Sequence, residues 1–110
     1  MLVVDPWHWL QADGALPPTG SRSRSQMIRV ARVIEYGGPL PAGSARETLL
    51  ECSRRSSSRR CDGMLWVTKL TDDALLAFCA TCKGEHMLVH NWQKTKWARG
   101  LGPPVRMKRT

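Results

Sequence analysis

Between residues 48 and 92 the apolar positions come in short runs of four to eight, each closed by turn-forming residues, a pattern that predicts strands rather than helices. Residues 63–70, with Met64, Leu65, Trp66, Val67 and Leu70, read as one strand, and residues 75–78 (Leu-Leu-Ala-Phe) as its antiparallel return. Residues 71–74, Thr-Asp-Asp-Ala, form the turn between them. A second turn at Lys83-Gly84-Glu85 leads into a third strand over 87–92, and residues 48–51 supply a strand upstream. Residues 27–36 are rich in β-branched side chains and partly alternating, so a strand is expected there as well. Residues 37–44 contain three glycines and two prolines and exclude a regular element.

Four cysteines lie at the ends of these strands, as the pairs Cys52 with Cys61 and Cys79 with Cys82. Strand-end loops that present four thiolates to one ion are the arrangement of a zinc ribbon, and the Cys79-Ala-Thr-Cys82 spacing is a metal knuckle. Two disulfides are the alternative use of four cysteines, and a redox pair is the alternative use of Cys-x-x-Cys. No export signal precedes the domain, and no long helix follows Cys79 to lower a thiol pKa, so one structural zinc with Cys52, Cys61, Cys79 and Cys82 as ligands is expected. The first pair is widely spaced, by eight residues that comprise four serines and the four arginines Arg54, Arg55, Arg59 and Arg60, read as a solvated loop. His86 and His90 follow the second knuckle and are the alternative ligands should one replace a cysteine; His8, between Trp7 and Trp9, is remote from both.

These elements predict a mostly β fold, a small zinc-ribbon-like antiparallel sheet with an N-terminal extension. Residues 1–26 are expected to form an aromatic segment and linker, 27–97 a single domain, and 98–110 a flexible basic tail. Pro6, Trp7, His8, Trp9 and Leu10 concentrate aromatic surface near the start; they are expected to cap the domain, or else to hook a partner. With 110 residues, 42% of them hydrophobic, the core is small enough for a metal to supplement it. No apolar run is long enough to span a bilayer and no secretory leader is evident, which gives the expectation of a cytoplasmic protein without a membrane partner.

The charge is uneven. Of a net +8, six basic residues and no acid fall in 94–110, and four more lie between the first two cysteines, while the remainder holds seven basic and nine acidic residues. Basic segments of this kind neutralise phosphates, so nucleic-acid contact is expected through Arg54, Arg55, Arg59, Arg60, Lys94, Lys96 and Arg99. Trp97, between Lys96 and Arg99, is a candidate for stacking on a base or for pinning the chain end; Trp66 and Trp92 are expected in the core.

An enzyme is not expected. Four cysteines close the coordination shell that a catalytic zinc leaves open, Asp72 and Asp73 suit a turn better than an acid and base pair, and Gly37-Gly38 lacks the lysine of a phosphate loop. No small-molecule substrate is indicated.

Across 52–97 the chain resembles small, uncharacterised bacterial zinc-ribbon-like proteins. The likeness is carried by the Cys52 and Cys61 pair, the Gly63-Met64-Leu65-Trp66-Val67 strand, the Phe78-Cys79-Ala80-Thr81-Cys82 knuckle and the closing Asn91-Trp92-Gln93; Phe78 directly abuts Cys79, where that group has a residue between. The resemblance implies the fold and the metal, with the four cysteines as ligands. Zinc ribbons at large serve nucleic-acid contact in transcription and translation, or dock other proteins, so both kinds of partner are carried forward.

Overall fold

The computed structural model describes residues 2–52, 55–56 and 59–100, those at 55–56 and 59–60 through their backbone. In chain order the elements are β1 (Leu2–Val4), a 3-10 turn (Pro6–His8), α1 (Arg22–Gly37), β2 (Ala45–Glu51), β3 (Arg55–Ser56), β4 (Arg59–Arg60), β5 (Met64–Lys69), β6 (Leu75–Cys79) and β7 (Glu85–Val89). The main sheet has the order β1-β7-β6-β5-β2. β2, β5, β6 and β7 pair antiparallel, as expected for a ribbon, and β1 adds to the far edge in parallel, with Leu2 opposite Met87 and Val4 opposite Val89. Among the described residues the fold is mostly β with one α-helix.

That helix corrects the strand expected at 27–36. Met27, Val30, Ala31, Ile34 and Gly37 are buried at spacings of three and four, the period of one helical face, and tertiary packing of that face overrides the weak helix preference of Ile28, Val30, Val33 and Ile34. The start lies five residues upstream of Met27. Ser21 is extended (φ −77°, ψ 148°) and its hydroxyl accepts the Arg24 amide at 3.2 Å, so it caps the first turn. Ser21→Ala is expected to lower stability by about 1 kcal/mol, read as a shift of the chemical-denaturation midpoint at unchanged slope.

At the other end α1 presses on the sheet. A side chain at Gly37 would meet Leu75 Cδ2 at 2.9 Å and Val67 Cγ2 at 3.0 Å. The buried ammonium of Lys69 donates to the Gly38 carbonyl at 2.6 Å and sits 4.8 Å from the Trp92 ring centroid, satisfying a carbonyl where the helix dipole is negative. The core between helix and sheet joins Met27, Val30, Val33 and Ile34 to Val67, Leu75, Ala77, Met87, Val89 and Trp92. Trp9, Leu10 and Leu16 of the N-terminal segment pack against it, and Trp7 donates through Nε1 to the Asn91 carbonyl at 3.0 Å while staying 39% exposed.

The turn between β5 and β6 forms at the expected place. Asp73 takes a positive φ of 74° and Asp72 accepts the Ala74 amide at 3.1 Å; Asp73 accepts from Gln93 Nε2 through its carboxylate and from Trp92 Nε1 through its carbonyl. Both acids are thus occupied in closing loops.

The sheet face opposite α1 carries no covering element among the described residues. Register places Val3, Leu88 and Leu76 in one row and Phe78 beside Trp66 in the next. Trp66 therefore lies on the open face, half-buried, and only Trp92 of the two tryptophans assigned to the core is in it. The difference is one of parity: Leu65 and Val67 already point at α1, so Trp66 between them points away. No described helix is long and apolar enough to cross a membrane.

Candidate metal centre

β2 runs directly into Cys52, β6 ends on Cys79, and the loops beyond them bring Cys61 and Cys82 to the same end of the sheet. The ladder extends to the site, since the Cys52 amide donates to the Gly63 carbonyl at 2.9 Å. The second knuckle closes by the Cys79 amide donating to the Gly84 carbonyl at 2.9 Å, with Lys83 at a φ of 60° making the tight return. Between Cys52 and Cys61, residues 55–56 and 59–60 pair as a short antiparallel ladder, where a loop without regular structure was expected. A stretch of four serines and four arginines gives no apolar pattern by which to read such a ladder.

All four sulfurs lie within 4.8 Å of one another, with Cys52 Sγ 3.8 Å from Cys82 Sγ and Cys61 Sγ 3.7 Å from Cys79 Sγ. Cys52 and Cys79 are fully buried and Cys82 is exposed, so the cluster sits at the sheet end with one side toward solvent. Leu65 and Leu50 pack beneath it, making a small second core. The Gly63 amide points at Cys61 Sγ, 3.4 Å away. A side chain on Gly63 has no room, because its Cβ would fall 2.6 Å from Thr81 Oγ1 and 2.7 Å from Cys79 Sγ.

The thiols are not equivalent. Burial alone would raise Cys79, but the amides of Cys82 and Thr81 and the thiols of Cys61 and Cys82 all donate toward it and bring it down to about 7. At Cys61 the Gly63 amide favours the thiolate, yet burial and the hydrogen bonds shared with Cys79 and Cys82 prevail and the thiol is pushed up. The Cys79 thiolate is therefore favoured by a nest of amide donors, an electrostatic condition suited to capturing a cation.

His86 comes close to the cluster without joining the set of mutually adjacent ligands, its Nε2 lying 3.2 Å from Cys52 Sγ. With Cys52 as a thiolate the ring N–H donates to sulfur, a supporting contact that sequence spacing could not reveal because 34 residues separate the two. His90 is elsewhere, its amide on the Val4 carbonyl at 2.9 Å, and His8 lies 3.9 Å from Asp5 Oδ2 at the other end of the chain.

Of the residues expected to meet phosphate, Lys94, Lys96 and Arg99 are exposed on the segment that follows β7. Arg55, Arg59 and Arg60 fall on the two-stranded ladder; Arg54 and the basic residues beyond 100 lie outside the described residues. Trp97 packs partly against the main core with the Lys96 ammonium 5.3 Å from its ring centroid, an arrangement that holds the segment after β7 on the core. A shallow hollow of about 440 Å³ on the open sheet face is lined by Leu76, Phe78, Cys79, Ala80, Lys83 and Glu85.

The chain matches no protein-family model, no curated protein and no solved structure. What is established is a small, mostly β domain with a clustered four-cysteine site able to coordinate a metal ion.

Proposed function

We propose that the chain is a non-catalytic, zinc-stapled module that binds nucleic acid through its basic segments. The observation that carries the metal assignment is the sulfur spacing. Four thiolates about 2.3 Å from a tetrahedral zinc are about 3.8 Å apart, and the paired separations here are 3.7 and 3.8 Å. When bound, zinc supplies a cross-link between the two knuckles; with all four positions filled by sulfur it offers no open site to a substrate. The chain's own contribution is to preform the thiolate nest, through the Cys79 environment and the Gly63 amide, and to carry arginines on the ladder that springs from the first knuckle.

Nucleic acid is favoured by the exposure of Lys94, Lys96 and Arg99 with no acid among residues 94–110, and by the four arginines between Cys52 and Cys61. The expected result is binding to short oligonucleotides of any sequence at about 50 mM salt, with affinity falling by orders of magnitude toward about 200 mM. Fluorescence anisotropy across a salt series measures it, and tight binding that ignores salt would overturn it. A second reading rests on a separate observation, the open apolar face of Val3, Leu88, Leu76, Phe78 and Trp66. If that face docks a protein, the purified chain shows no oligonucleotide affinity at low salt.

A further inference from the structure

Charge on this molecule is sorted by face, and the sorting falls along a helix that sequence spacing had not placed. On α1, Arg22, Arg29 and Arg32 project within roughly 80° of arc at 100° per residue, on the side away from Met27 and Ile34. β2 lies beside that arc: the Arg29 guanidinium donates to the Glu51 carbonyl at 2.6 Å, and Arg46 stacks over the Tyr36 ring, 5.3 Å from its centroid. The seam between α1 and β2 therefore carries Arg22, Arg29, Arg32 and Arg46 over about 20 Å. Arg22, Arg32 and Arg46 are exposed. One acid is near, Glu35, 3.8 Å from Arg32. The acids of β2 point elsewhere, because Glu47 is opposite Trp66 and Glu51 opposite Met64, both on the open face.

Two further facts give the seam a direction. Glu51 immediately precedes Cys52, so the Arg29 contact joins the seam to the metal end of β2. And the first turn of α1 holds Arg22 and Arg24 with no acid, although the helix dipole there disfavours cations. Arg24 is occupied, donating to the Pro17 carbonyl at 2.9 Å; Arg22 has no such structural use in the described contacts. A cation held against the dipole at an exposed first turn is suited to an anion arriving from outside.

We propose that the α1–β2 seam, through Arg22, Arg32 and Arg46, is the principal phosphate-backbone contact of this protein. The proposal rests on the nucleic-acid reading above and assigns it a surface that charge runs in the sequence do not mark. Arg29 is a positioning residue, tying the seam to the metal end. Backbone charge alone is read, so the occupant is a nucleic-acid strand of any sequence.

The test uses the zinc-loaded full chain with a fluorescein-labelled 20-base-pair DNA duplex and, separately, a 20-nucleotide single strand. R22Q/R32Q/R46Q is expected to make the slope of log affinity against log salt shallower by about 2 to 3 on the duplex, and somewhat less on the single strand. R22K/R32K/R46K is expected to keep the slope. R22E gives a readout that a merely structural role would not: its melting temperature rises, because an acid replaces a cation at the helix N-terminus, while affinity falls about tenfold or more. If the triple glutamine variant is too unstable to assay, R22Q and R32Q singly should each remove about 0.9 from the slope. Unchanged slopes in folded variants, with the parent chain still binding, overturn the seam and leave the broader reading standing. No binding of the parent chain to either probe at about 50 mM salt overturns both.

Discussion

Cys79→Ser is expected to lose the metal and, with it, the order of one end of the sheet while leaving the other end folded. Cys79 is the fully buried terminus of β6, pairs with Leu65 in the ladder, and has its thiol pKa brought down to about 7, so a serine there removes both a ligand and a favoured thiolate. The molecule holds two cores of unequal size. Cys52, Leu65 and Cys79 make the smaller, with Leu50 and Cys61 against it; the larger lies between α1 and the middle of the sheet. Only the smaller is expected to depend on the ion. Hydrogen exchange should therefore show protection lost around 61–65 and 79–84, and retained in α1 and at Val67, Leu75, Ala77 and Val89. Chelation of the parent protein should give the same map. The stabilisation at stake is about 4 kcal/mol when free zinc exceeds its dissociation constant a thousandfold, so the melting temperature should become zinc-dependent in the parent and not in the variant. Acidification acts in the same direction, since protons compete for all four thiolates and metal uptake must weaken as the pH falls. Uniform protection after verified metal removal would mean that the cluster is ornamental to the fold.

The division between the two cores explains what could be read from the chain beforehand. β5 and β6 were legible because their turn is spelled out by Thr71, Asp72 and Asp73 and their inward residues alternate. The knuckle at Cys79 and Cys82 was legible because its spacing is local. The helix was not: the buried set Met27, Val30, Ala31 and Ile34 has helical spacing, but its β-branched members mimic a strand, and its polar first turn, Arg22 to Gln26, hides where it begins. The capping serine at Ser21 was the signal that could have located it. β1 was hidden for a different reason. A three-residue apolar run specifies little by itself, and Leu2 finds its partner at Met87, across almost the whole chain. Contacts of that kind, including His86 with Cys52 and Arg29 with Glu51, are consequences of packing and leave no periodic trace. The same limit explains why the charge runs pointed to the knuckle and the C-terminal segment, whereas the arginine seam exists only once α1 has been laid beside β2.

Gly63→Ala is expected to damage the metal centre through sterics alone, with every ligand in place. The added methyl would sit 2.6 Å from Thr81 Oγ1, 2.8 Å from Thr81 Cβ and 2.7 Å from Cys79 Sγ, distances at which something must move. The choices are poor. Cys79 is anchored by the β5–β6 ladder and by its amide bond to the Gly84 carbonyl, and Gly63 by the Cys52 amide on its own carbonyl, so neither backbone yields easily. Thr81 is on the knuckle, between two ligands, and shifting it displaces the loop that carries Cys82. The Gly63 amide is also drawn away from Cys61 Sγ, where it favours the thiolate. Overpacking of a closed site costs about 1 to 3 kcal/mol, and placed on the bound state this is roughly a ten- to hundredfold loss of zinc affinity. Competition with a chromophoric chelator measures it, and the α1 core should keep its hydrogen-exchange protection. The cause is separable from the outcome by a second substitution. Thr81→Gly removes two of the three obstructing atoms, so G63A/T81G should recover part of the affinity that G63A loses, even though T81G alone weakens the loop. If the double variant is no better than the sum of the two single losses, the clash is not what Gly63 avoids, and its amide contact to Cys61 must carry the effect instead.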